Sequence, residues 1–502
     1  MTALELLSDL RDRGVKLWVD GTDLRFSARK GTLGRAATEL LVRHKTELVE
    51  LLKSPDAGAT TPRPDAARTK RFSLDDQAIV LSSVPDWHQD EQDPYVRYVA
   101  PYKGFLYQRL ALDKKFVRGE GCFLFDAEGT PYADFIAQFG AVPFGHDPEP
   151  IWDALEAVRR ESRPNLVITS ISAAAGELAE RLLAVAPAGL GHAVFTNSGA
   201  EAVEAAIKLA RARTGRLGIL SARDGFHGLT LAGMSATGRE FFQRGFGAPV
   251  PGFNYVPFGD LEALQTTLEF RPDFFAAFVV EIVQGESGIH VAPQGYLAKA
   301  AELCHRFGAL LIVDEVQTGL GRTGRLLASD HDGIKPDGLI LGKALGGGLL
   351  PVSAFLARED LMAVFTPGDH GSTFGGNPLS AAVGHAALRL LREEKLADNA
   401  QRMGERLLTG LRAIQHPAIR QIRGKGLLIG MDLDPSFISA REFCERLMQQ
   451  GILSKDTHDT VVRFAPPLVI TANDIDAALE AIRHTFSSLS SSPAHLTERS
   501  YA

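Results

Sequence analysis

Two short apolar runs, each closing on one ionisable residue, constrain this chain more than any other feature. LLIVDEVQTGLGRTG starts at Leu310 and turns acidic at Asp314. LILGKALGGGLLP loses its apolar character at Lys343, which is walled in by Gly342, Gly346, Gly347 and Gly348. Runs this short and this uniformly apolar read as strands buried on both faces, the pattern of a parallel sheet. In an open α/β sheet, ligands sit beyond the carboxyl ends of the strands. Asp314 and Lys343 both stand at such ends, so a carboxylate and an amine can face one pocket.

That pair suits pyridoxal phosphate (PLP), which needs a lysine amine for its Schiff base and an acid to keep its ring nitrogen protonated. A free lysine titrates near ~10.4 and is mostly inert at neutral pH. Desolvated beside a cationic cofactor, its amine becomes a usable nucleophile and proton carrier. Taken singly, Asp314 reads equally as a turn cap and Lys343 as a surface lysine. Gly319, Gly321 and Gly324 spell GxGxxG after a strand, a dinucleotide fingerprint. No βαβ unit opens around it, however, and Arg322 and Arg325 flank it where the fingerprint calls for a following strand closed by an acid.

Strands are predicted over residues 193–196, 217–221, 277–282, 310–314, 338–341 and 353–357, with helices between several of them. This alternation predicts an α/β fold with a mainly parallel sheet. Residues 151–384 form its large cofactor-binding domain. Helical patterns and the short strands 426–431 and 461–464 make residues 385–486 a smaller α+β domain, which residues 72–150 join from the N-terminal side. Residues 487–502 are Ser-rich and read as a disordered tail. Residues 54–71 hold three prolines and no large apolar side chain, the composition of a flexible linker.

Residues 1–53 read as a separate small α+β module. Helices are predicted over residues 3–10 and 33–51, around a hairpin formed by residues 16–19 and 24–26 with its turn at Asp20-Gly21. A two-stranded hairpin leaves an open edge on which a partner peptide can add a strand. Arg25, Arg29, Lys30, Arg35, Arg43 and Lys45 give the module a basic rim.

With 502 residues, 45% apolar and 23% charged, the chain has ordinary globular composition. A net charge of −7 gives no support to nucleic-acid or membrane-surface binding. Cys122, Cys304 and Cys444 lie too far apart for a zinc spacing, so no metal site is expected. No basic-then-apolar segment opens the chain and no stretch of about 18 apolar residues occurs, which predicts a cytoplasmic protein.

Several other stretches carry chemistry. In NSGAEA, Ser198, Gly199 and Ala200 open a helix whose amides and dipole suit a phosphate, although Asn-Ser-Gly also serves as a plain cap. In GFHG, Phe226 offers a ring to stack on an aromatic cofactor, and His227 either touches that cofactor or shapes the loop. Strand alternation turns Asp314 away from Glu315. Gln317 is placed to donate to a ring hydroxyl. Thr373 in GSTFGGNPL offers a hydroxyl and an amide to a phosphate, or sits in an ordinary glycine-rich turn.

NSGAEA, GFHG, VVEIVQGESG, LLIVDEVQTGLGRTG, GKALGGGLLP and GSTFGGNPL, in this order, closely resemble class III aminotransferases, the ornithine and ω-amino-acid branch of the fold-type I PLP enzymes. The resemblance covers roughly residues 95–485. It implies that Lys343 is the Schiff-base lysine, Asp314 the partner of the pyridine nitrogen and Gln317 that of the ring hydroxyl. It also implies a phosphate loop of Ser198, Gly199 and Ala200, a stacking turn of Phe226 and His227, and Glu281 at the cofactor. Thr373 matches a phosphate ligand given to the neighbouring subunit, which implies a homodimer. Glu286 and Arg463 match a pair in which the arginine takes an α-carboxylate and the glutamate neutralises it for amine-bearing chains; a structural salt bridge is the plainer reading. Ile282 and Ser287 depart from the family pattern beside this pair. The expected reaction moves an amino group from an amino-acid donor, glutamate first, to an aldehyde or ketone. An aminomutase, racemase or decarboxylase of the same fold is the alternative.

LLSDLRDRGVKLWVDGTDLRFSARKGTL resembles the TubC-type N-terminal docking domains of nonribosomal peptide and polyketide assembly lines. That resemblance implies an upstream assembly-line or carrier protein as partner of residues 1–53, and an assembly-line intermediate as acceptor.

Overall fold

The computed structural model describes residues 16–20, 23–27, 94–99, 114–246 and 249–489. The chain divides into two compact units, Met1–Asp86 and Trp87–Ala502. In the first, Lys16–Asp20 pairs antiparallel with Asp23–Ser27, with Asp20 opposite Asp23. The pairing is thus one residue longer on each side of the turn than the alternation of side chains indicates. The helices expected over residues 3–10 and 33–51, the linker 54–71 and most of the tail 487–502 lie outside the described residues; within that tail the helix Ala472–Ser487 ends and Leu489 donates back to Phe486.

The second unit is built on a seven-stranded sheet. Its strands are β1 (His192–Thr196), β2 (Gly218–Ala222), β3 (Phe253–Val256), β4 (Phe275–Glu281), β5 (Leu310–Asp314), β6 (Gly338–Leu341) and β7 (Ser353–Ala357). Their order across the sheet is β1-β7-β6-β5-β4-β2-β3. Every pair is parallel except the two that β7 makes with β6 and β1. β2, β4, β5, β6 and β7 are buried along their whole lengths, which is why their sequences run apolar without alternation. Between β1 and β2, helix α1 (Gly199–Thr214) buries Ala202, Ala205, Ala206 and Ala210, small side chains that let it lie close on the sheet. It ends at Gly215, whose φ of 68° gives the left-handed cap a side chain would resist.

The smaller part has an antiparallel sheet in the order Ile419–Lys425, Leu428–Leu433, Val461–Phe464, Lys455–Thr457. The single strand expected over 426–431 is therefore a hairpin that turns at Gly426, where φ is 55°. Its first arm, IRQIRGK, alternates too many charged residues to read as a core strand. β3 and the strand Phe116–Glu120 also escape the sequence pattern, because both are short and half polar. Ile452–Leu453 pairs in parallel with Pro131–Asp134, so the N-terminal segment of the unit and its C-terminal part share one sheet.

The glycines of the GxGxxG segment make no cradle. A Cβ on Gly321 would meet Leu391 and Leu468, and one on Gly324 would meet Gln401. Arg322 is buried and donates to the carbonyls of Leu427 and Pro466. The segment pins the sheet to the C-terminal helices. Among the described residues no helix is long and apolar enough to cross a membrane, and no group of His, Cys, Asp and Glu is placed to hold a metal. All three cysteines are buried, and burial pushes each thiol up to about 12.

Candidate active site

A cavity of about 450 Å³ opens where β4, β5 and β6 end, within the size range of small-molecule sites. Ser198, Gly199, Ala200, Phe226, His227, Glu281, Asp314, Gln317 and Lys343 all line it. Nine of the twelve residues singled out from sequence thus meet in one place, from five separate segments of the chain.

The register of the sheet explains the carboxylates. Asp314 lies directly opposite Glu281 across the parallel pair β5 and β4, so two acids share the strand ends. Asp314 Oδ2 is 2.8 Å from His227 Nδ1, and its Oδ1 accepts from the Val316 amide at 3.0 Å. His227 therefore touches the cavity and holds the acid, and its loop is fixed in turn by the Thr237 hydroxyl at 2.9 Å. Burial and the neighbouring Asp314 push the Glu281 carboxyl well above its ordinary range, toward its neutral form; Lys343 pulls the other way. Glu315 points away as alternation requires. Its carboxylate accepts from the amides of Ala328 and Ser329, and burial raises its pKa to about 7.

Lys343 follows β6 through Gly342 and has a φ of 43°. A side-chain-bearing residue in that left-handed region costs on the order of 1 kcal/mol, a strain that the packed glycines around it hold in place. Burial depresses the amine below its ordinary range; Glu286, Asp314 and Glu281 raise it and Arg463 lowers it further.

The residues fit a flat, anionic, hydrogen-bonding cofactor. Gly199 has no room for a Cβ against Val316, and Gly228 none against Ala200, so backbone closes tightly around the start of α1. Among the described residues, His227 Nε2, Glu281 Oε2 and Gln317 Nε2 are buried without partners. Such groups are costly unless a ligand satisfies them. The α1 amides and dipole favour a phosphate there, and Lys343 and Asp314 offer an amine and an acid of the kinds that PLP requires.

Glu286 and Arg463 are paired at 2.7 Å but are not part of the cavity lining. They adjoin it through Gly285, whose Cβ, if present, would strike Gln317 Oε1. Burial would raise Glu286, but the Arg463 guanidinium outweighs it and holds the carboxylate below its ordinary range. Arg463 is 1% exposed, and its Nη2 has no hydrogen-bond partner among the described residues. Thr373 is exposed and outside the cavity of its own chain. Its neighbour Ser372 accepts from Asn197 Nδ2 at 2.8 Å, which ties the Thr373 segment to the start of α1. Asn197 lines the cavity and had no distinguishing signal within NSGAEA beyond its place before the serine. Phe139, whose ring lies 5.0 Å from the Arg463 guanidinium, is another residue that sequence reasoning missed.

Residues 109–486 match the class-III aminotransferase family, and residues 4–54 match the TubC N-terminal docking domain. An ornithine aminotransferase 2 from Staphylococcus saprophyticus is 43% identical over 376 residues, 73% of this chain and 92% of that protein. The solved ornithine aminotransferase of Toxoplasma gondii, with PLP partly occupying its active site, superposes with a TM-score of 0.72 at 38% identity, covering 75% of this chain and 90% of its own. The acetylornithine aminotransferase of Elizabethkingia anophelis gives 0.66 at 35%, covering 77% and 98%. A match of this extent makes the chain a member of the class-III aminotransferases, enzymes that depend on pyridoxal phosphate.

Proposed function

We propose that this aminotransferase takes its amino group from glutamate and delivers it to an aldehyde or ketone made by a polyketide or nonribosomal peptide assembly line, to which residues 1–53 dock. The observation that carries the donor is the pair of buried Arg463 with half-buried Glu286 beside the cavity. A guanidinium offers a carboxylate two parallel hydrogen bonds. Paired with Glu286, it is also neutral enough to admit a chain that lacks one.

When bound, PLP supplies an electron sink for the bond broken at the amine-bearing carbon. The chain's own residues do the rest. The amides of Ser198, Gly199 and Ala200 would hold the phosphate, Phe226 would lie against the ring and Gln317 would donate to its hydroxyl. His227 fixes Asp314, which keeps the ring nitrogen protonated. Lys343 Nζ takes the proton from the donor's α-carbon and carries it across. Its lowered pKa places more of the amine in the free-base form that accepts a proton near neutral pH. The exposed Thr373 completes the phosphate site of a second copy in a homodimer.

With glutamate alone, the holoenzyme is expected to release one 2-oxoglutarate per site and keep the cofactor in its amine form. A racemase would not accumulate that form. Replacing Arg463 by Met is expected to lower kcat/KM for glutamate by about 10²–10³, the effect of losing a buried charged contact worth 2–5 kcal/mol. A carboxylate-free primary amine should change by less than about tenfold. An equal loss with both donors in steady-state assays would remove Arg463 from donor recognition.

Assembly-line docking rests on the match of residues 4–54 and on the hairpin Lys16–Asp20 with Asp23–Ser27, a sheet of two strands among the described residues to which a peptide could add a third. Titrating the full chain with an acidic upstream C-terminal tail should give binding that weakens as salt rises. Arg25→Glu with Lys30→Glu should weaken it about tenfold, or 1.4 kcal/mol, without slowing the glutamate half-reaction. Binding unchanged by both salt and the double reversal would count against this mode.

A further inference from the structure

Arg463 and Lys455 lie directly opposite each other on adjacent antiparallel strands. Directly opposed residues project from the same face of a sheet, a few ångströms apart, and two like charges there are unfavourable. Both also sit over one ring. Phe139 has the Arg463 guanidinium 5.0 Å and the Lys455 ammonium 5.9 Å from its centroid. Phe139 is held there by a turn in which Ala137, Gln138, Phe139 and Gly140 all have positive φ, between 45° and 83°. Three side-chain-bearing residues in a row in that region are a strain a structure keeps only where its surroundings enforce it.

Arg441 and Asp456 form an ion pair and neutralise each other. Arg463, with Lys343 and Lys455 farther off, acts on the carboxylate of Glu286. The strand bearing Lys455 also grips that glutamate's main chain, because Thr457 Oγ1 donates to the Glu286 carbonyl at 2.8 Å. Among the described residues, the Lys455 ammonium donates only to the carbonyl of its own neighbour Asp456, at 3.1 Å. Among the described residues it forms no ion pair with a carboxylate, and the neighbouring Asp456, which raises its pKa, is itself paired with Arg441.

Resting on the glutamate-donor reading above, we propose that Lys455 is the positioning residue that receives Glu286 when a donor carboxylate displaces it from Arg463. A carboxylate that takes Arg463 through both Nη atoms must evict Glu286, which occupies Nη1. An evicted, partly buried carboxylate without a partner costs several kcal/mol, and that cost would be subtracted from donor affinity. Burial and Arg463 lower the Lys455 ammonium, while Asp456 and, after it, Glu286 raise it, so Glu286 is within its electrostatic reach. The pair thus acts as a three-way exchange. Without a donor, Glu286 sits on Arg463; with one, Arg463 holds the donor and Lys455 holds Glu286.

Glutarate, a five-carbon dicarboxylate with no amine to react, isolates this step. The PLP-loaded enzyme, titrated with glutarate by calorimetry, is expected to bind it, and Lys455→Met to weaken binding at least tenfold. Lys455→Arg should recover affinity to within about threefold, which separates lost charge from lost fold. In a Glu286→Gln background, Lys455→Met should change affinity by less than about threefold, because no displaced anion remains to be received. Turnover of a carboxylate-free amine by Lys455→Met should stay within about twofold of the parent. Unchanged glutarate affinity in Lys455→Met, or an equal loss in the Glu286→Gln background, overturns the exchange while leaving the donor reading intact. A parent enzyme that neither binds glutarate nor reacts with glutamate overturns both.

Discussion

Lys343→Ala is expected to abolish transamination, lowering kcat by roughly 10⁴-fold or more, because it removes both the covalent anchor and the proton carrier. The purified variant should also lack the visible absorbance that covalent cofactor attachment gives the parent. Two features of the site make the expectation steep. The amine is depressed by burial, so no water-exposed base at the same position can replace it. It is also delivered by a strained backbone, φ 43° between Gly342 and a short turn, so a neighbouring lysine cannot reach the same point by changing rotamer. Adding a small primary amine should restore part of the proton transfer without restoring the attachment. Near-normal turnover of Lys343→Ala would mean that the reaction runs elsewhere.

Asp314→Asn keeps the shape of the side chain and removes its charge. A unit charge about 4 Å from a protonated ring nitrogen contributes about 4 kcal/mol at an effective dielectric near 20, equivalent to about three orders of magnitude in rate. The half-reaction with glutamate is expected to slow by about that factor in stopped-flow measurements. The cofactor should still bind through its phosphate cradle, more weakly. His227→Asn is the informative companion. It leaves the charge but loosens the 2.8 Å contact that aims it, so its loss should be smaller, on the order of tenfold. If Asp314→Asn were no slower than His227→Asn, the acid would be orienting the loop instead of holding charge at the ring.

How far the sequence reveals these residues depends on what kind of fact each one is. Asp314 and Lys343 were legible because buried parallel strands print as bare apolar runs, and whatever polar residue ends such a run stands at the sheet's ligand-binding edge. Glu281 was marked only by its motif. What makes it unusual is lying opposite Asp314, and register between strands some thirty residues apart is not written in either strand. Lys455 and Phe139 were missed for the same reason. Lys455 matters because it faces Arg463 across a hairpin, and Phe139 because a run of left-handed residues turns its ring there. The hairpin at Gly426 was lost because a half-exposed strand carrying Arg420, Gln421 and Arg423 imitates a loop.

The pairing of Ile452–Leu453 with Pro131–Asp134 has a consequence for how this protein is made. Ala133 finds its neighbour Ile452 over 300 residues later in the chain. At a synthesis rate of about 5–20 residues per second, that interval lasts roughly 15–60 s. Throughout it the first strands of the catalytic unit wait on the ribosome with an edge unfilled, while the docking-domain residues ahead of them have already emerged. The stretch that matches the TubC N-terminal docking domain, residues 4–54, is therefore made well before the enzyme behind it is complete.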